Sequence, residues 1–131
     1  MKPIIPLLWA SGFACLTISP ASAAGSCDYG SPEVFKFISW EFGPREGLWR
    51  ELKLNFHNNL NQSFSWVELR MLVDYHIISM NTRQRIPAAS DAVLTAKYEM
   101  SDAAVAEFRS RAPLICVEST DDENGARKRY D

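Results

Sequence analysis

The chain has 131 residues and a formal net charge of -2, with 47% apolar and 23% charged residues. Those proportions belong to an ordinary soluble globular domain. They exclude a disordered chain, a collagenous one, a polytopic membrane protein and a strongly basic nucleic-acid binder.

Residues 1–23 carry the marks of a secretory signal peptide. Lys2 supplies the positive start, and residues 4–18 are apolar apart from Ser11 and Thr17. Pro20 ends the run, and Ala21-Ser22-Ala23 is an A-x-A cleavage site. The apolar run is shorter than the roughly 20 residues of a membrane-crossing helix. A lipid anchor at Cys27 is argued against by motif context, because Ala24 stands where a large aliphatic residue belongs. Cleavage leaves residues 24–131 as one domain, periplasmic or secreted, with no stable membrane span. Cys15 departs with the leader, so Cys27 and Cys116 remain. An even cysteine count in an oxidising compartment predicts that they form a disulfide.

Residues 34–42 hold Phe35, Phe37, Ile38, Trp40 and Phe42, which predicts a strand buried on much of both faces. Gly43-Pro44-Arg45-Glu46-Gly47 breaks it. Leu52, Leu54 and Phe56 alternate with Lys53, Asn55 and His57, the period of a half-buried strand. Asn58-Asn59-Leu60-Asn61-Gln62-Ser63 then reads as a turn. Val67, Leu69, Met71, Val73 and Tyr75 resume the alternation, which predicts a strand pairing back on the previous one as a hairpin. A helix is the rival there, since Trp66, Leu69, Arg70 and Val73 also fit a 3.6-residue period. Residues 79–89 are the least regular stretch, expected to be a loop holding a short strand.

Residues 93–100 suit a strand. Ser101 or Asp102 is positioned to cap a short helix over 102–111, running through Ala103, Ala104, Val105 and Phe108 and stopped before Pro113. Residues 114–117 form a strand, Asp121-Asp122-Glu123-Asn124-Gly125 a turn, and 126–130 a polar edge strand guarded by Arg127, Lys128 and Arg129. Short strands with turn chemistry between them point to a mainly β protein, an antiparallel sandwich.

Phe37-Ile38-Ser39-Trp40, residues 52–58, residues 67–74 and the closing 116–130 hairpin together resemble small exported bacterial proteins with an immunoglobulin-like, FxLYD-type domain. Leu72 and Asp74 match that motif's ending. Arg70 and Val73 replace its two aromatics, and no glycine follows Asp74. The resemblance implies an immunoglobulin-like β-sandwich and implies no catalytic residues.

Signals of chemistry are sparse. There is no Gly-rich phosphate loop, no CxxC or HxxxH spacing and no nucleophile elbow. His57 lies on a polar strand face and His76 at a strand end, each without the neighbouring ligands a metal needs. The acidic run at 121–123 reads as a solvated turn rather than a cation site. No cofactor is expected. Three basic residues beside that acidic turn do not make a nucleic-acid surface.

Trp40 is expected in the core. Trp49, in a polar connection, and Trp66, opposite Val67, Leu69 and Met71 with Phe64 two residues before it, are the candidate binding surface. The function expected is a non-catalytic binding or assembly domain for a protein or envelope component. A small exported enzyme or inhibitor is the alternative.

Overall fold

The computed structural model describes residues 26–130; the signal peptide expected at 1–23 lies outside them. Seven strands and one helix follow in chain order: β1 Phe35–Phe42, β2 Trp49–Asn58, β3 Phe64–Val73, β4 His76–Thr82, β5 Asp91–Glu99, α1 Asp102–Arg109, β6 Leu114–Asp122 and β7 Arg127–Arg129. They form two antiparallel sheets, β1-β2-β5 and β4-β3-β6-β7. With β2 beside β5 in one sheet and β3 beside β6 in the other, the chain makes an immunoglobulin-like sandwich. None of the helical residues described forms a helix long and apolar enough to cross a membrane.

Alternation builds the core. On β2, Leu52, Leu54 and Phe56 turn inward; on β3, Val67, Leu69, Met71 and Val73 meet them from the other sheet. Leu94, Ile115, Val117, Ile78 and Met80 fill the layer. The strand period of residues 67–73 therefore prevails over the helical one.

The expected β2–β3 hairpin does not form. β2 pairs with β1 and β5, while β3 pairs with β4 and β6. The Asn58-to-Ser63 segment is an arch between sheets, and Asn58 is the reason. Its fully buried amide donates to the Gln62 and Pro87 carbonyls at 2.9 and 3.1 Å and accepts from the Leu60 N–H at 3.0 Å. Those bonds satisfy backbone groups that a sheet ladder would otherwise take.

Two further expectations change. β1 is not covered on both faces: it is an edge strand with a bulge between Phe37 and Ser39, and Ile38 faces out. Residues 79–89 are more regular than their composition suggests. β4 covers their first part, entered from β3 by a two-residue turn with Asp74 at φ 52°. Asp tolerates that left-handed geometry better than most residues.

Ser101 caps α1, accepting from the Ala104 N–H at 3.1 Å. The helix closes one end of the sandwich. Phe108 packs against Trp40, Phe42 and His76, with ring centroids 5.9, 6.4 and 5.3 Å away. Trp40, expected in the core, is half-buried and packs against the core from its edge. Polar contacts hold the helix region to the sheets: the Asp102–Arg50 and Arg111–Asp74 ion pairs, and the Glu107 carboxylate 3.3 Å from the His76 ring nitrogen.

The Cys27–Cys116 disulfide is present, with 5.8 Å between Cα atoms. It lies on the outer side of β6 and ties down the segment before β1. There Ser31 exchanges backbone hydrogen bonds with Val117 at 2.9 and 3.0 Å. Gly30, at φ +87°, allows the approach; a Cβ at this position would lie 2.6 Å from the Val117 carbonyl oxygen.

Candidate functional site

The outer face of the four-stranded sheet carries side chains that a solvated strand face does not need. Register places Ile77 of β4 opposite Leu72 of β3, and Leu72 opposite Leu114 of β6. Their neighbours Ile78, Met71, Val73 and Ile115 point into the core, so this trio forms an apolar row across three strands on the outside. Ile77 is 58% exposed, and Tyr75, in the adjoining turn, is fully exposed.

One row on, Arg70 stands opposite Cys116. Its guanidinium lies 5.7 Å from the centre of the Tyr29 ring and 2.5 Å from the Glu118 carboxylate. Tyr29, Arg70, Glu118, Arg129 and Tyr130 border a groove of about 300 Å³ beside the disulfide. Glu68 follows, accepting from the Ser119 hydroxyl at 3.1 Å.

Trp66 closes the face at its far end. The Arg127 guanidinium lies 4.2 Å from its ring centre and bonds Asp121 at 2.8 and 3.3 Å. The hydrogen bond from Arg127 holds the Asp121 carboxyl below the usual carboxylate range, against a smaller opposing effect of burial. Trp66, Arg127 and Asp121 form a stacked, charge-balanced cluster, the composition that recurs at contact hot spots.

Phe64 does not belong to this surface. It is fully buried, 6.2 Å from the Phe35 ring. A register irregularity between Phe64 and Trp66 puts the two residues on opposite faces, although they are two apart in sequence. Trp49 is 54% exposed but on the other sheet, facing outward at the start of β2. It borders a depression of about 130 Å³ with Pro44, Glu46, Glu51 and Lys97. The two candidate tryptophans are thus on separate surfaces.

Tyr29, Arg70, Leu72, Tyr75, Ile77 and Leu114 were not among the expected surface residues. Leu72 carried the signal, as an apolar residue in the polar phase of its strand. His57 bonds Asp91 at 2.7 Å on the open face of the three-stranded sheet. No cluster of three or more His, Cys, Asp or Glu suited to a metal occurs among the described residues. Compared with known proteins, the chain matches no family model, no curated protein and no solved structure.

Proposed function

We propose that this is a non-catalytic binding or assembly domain of the periplasm or cell exterior, which holds a protein or envelope component against the outer face of its four-stranded sheet. The apolar row Ile77–Leu72–Leu114 carries the reading. Leucine and isoleucine aligned across three strands on an outward face offer a partner apolar area, and Trp66 with Arg127 extends that area into a polar rim. The disulfide supports an oxidising compartment.

The test is capture from envelope extract, followed by reconstitution with the purified partner. Ile77→Asp should weaken binding by about tenfold or more, because it places a charge in the apolar row. Its thermal unfolding should change little, since Ile77 is exposed. Trp49→Ala should bind as the parent does. Binding lost with Trp49→Ala and kept with Ile77→Asp would move the surface to the other sheet.

A further inference from the structure

Sheet edges are open templates for strand pairing, and proteins protect them with charges, bulges, brevity or cover. Three of the four edge strands here are protected. β1 has its bulge and the charges of Lys36 and Glu41. β5 carries Asp91, Lys97 and Glu99, and the Gln84 side chain donates to its Val93 carbonyl at 2.7 Å. β7 is three residues long and entirely basic.

β4 has almost none of these devices. It runs seven residues, His-Ile-Ile-Ser-Met-Asn-Thr, in unbroken register, without Lys, Arg, Asp, Glu or Pro. The two-residue turn makes Val73 and His76 a hydrogen-bonded pair, so Ile77, Ser79 and Asn81 turn their backbone groups to the open edge. The cover there is one bond, from the Tyr98 hydroxyl to the Ser79 carbonyl at 2.7 Å. A carbonyl has a second lone pair, so that bond leaves Ser79 able to accept another.

We propose that a second copy of this chain pairs with β4, antiparallel, about a two-fold axis through Ser79. This register overlaps all seven residues. It sets Ser79 against the partner copy's Ser79 and Ile77 against its Asn81, so no like charges meet within the strand. The flanks complement each other. Tyr75 lies four residues before Ser79 and Arg83 four after it, so each Tyr75 meets the Arg83 of the other copy. Tyr75 is fully exposed, and Arg83 is exposed and makes no close ion pair among the described residues, its charge reaching Asp121 only through space. A cation over an aromatic face is the contact this pairing supplies, twice per dimer. The result is one continuous eight-stranded sheet. The pairing runs along the edge and leaves the Ile77–Leu72–Leu114 row uncovered on the outer face, while it engages Tyr75 and Arg83 at its flanks.

Sedimentation velocity of the disulfide-bonded protein, alone, from about 10 µM to about 1 mM spans the affinity expected for so small a contact. A concentration-dependent dimer is expected, with the Ile77, Ser79 and Asn81 amides exchanging more slowly in it than in the monomer. Ser79→Pro removes an open-edge donor without touching the β3 ladder, and should weaken the dimer by at least about tenfold. Ser79→Lys places two like charges at the axis and serves as the second variant if the proline chain does not fold. Tyr75→Ser and Arg83→Ser should each weaken it by about fivefold. A chain monomeric at about 1 mM overturns the pairing. So does a dimer whose three amides exchange as in the monomer, or one that survives in folded Ser79→Lys. Envelope-partner capture is measured separately, on Ile77→Asp, so failure of one proposal is distinct from failure of the other.

Discussion

Ala89 adopts φ 50°, a left-handed conformation that crowds its Cβ against the backbone. Its N–H is committed to the Leu60 carbonyl at 2.9 Å, so the arch holds it there. Ala89→Gly should therefore stabilise the protein by about 0.5–1 kcal/mol, the relief of the left-handed cost less the added freedom of an unfolded glycine. Denaturant unfolding reads this as a higher midpoint with an unchanged slope. Asn58 is the opposite case. Asn58→Ala strands the Leu60 N–H and removes a donor from two carbonyls, and should cost about 3 kcal/mol in the same measurement. Asp121 supplies a pH signature. Its folded pKa is depressed by Arg127, so its contribution is complete above the unfolded carboxylate pKa and is lost as acid carries the pH through the lowered folded value. Stability of the parent should fall more steeply below about pH 4 than that of Asp121→Asn. Equal slopes would show that the pair does not contribute. The outward phase of Trp66 was legible because the alternation with Val67, Leu69 and Met71 holds over that short range. Phe64 was misread because a bulge between it and Trp66 leaves no mark in the periodicity.

Individual strands and the helix were largely legible because their signals are local. Leu52, Leu54 and Phe56 declare a buried face without reference to any partner, and Ser101 ahead of Val105 and Phe108 declares a capped amphipathic turn. Ser101→Ala should lower stability by about 1 kcal/mol through loss of the bond to the Ala104 N–H, measurable by thermal unfolding. Which strand lies beside which was less legible. An Asn-rich connection can be a tight turn within a sheet or an arch between sheets, and residue types alone do not separate the two. The buried Asn58 decides it here, through contact with Pro87, 29 residues further on. β4 was obscured because Ile77 and Ile78 are adjacent, so apolar residues on both faces blur the alternation. The phenol of Tyr98, which bridges β5 to β4, has its pKa raised by burial. The stabilisation linked to its neutral form is complete below the ordinary tyrosine value and is lost as pH rises through the raised one.

At the scale of the whole molecule, one covalent link encloses almost everything. The disulfide joins residues 89 apart, and β1 to β5, α1 and the start of β6 all lie inside the loop it closes. Reduction should cost about 4–5 kcal/mol by the chain-entropy argument, read as a fall in the unfolding midpoint on adding a thiol reductant. The same loop governs the response to mechanical force. A molecule pulled by its two ends transmits tension from Cys27 straight across the sulfur bridge to Cys116, bypassing the intervening chain. Among the described residues only β7 and the part of β6 beyond Cys116 can unravel, which limits their extension to about 50 Å. With the bridge cut, the described chain pays out roughly 350 Å. The oxidised domain thus yields only about one seventh of the length that the reduced one does under the same pull.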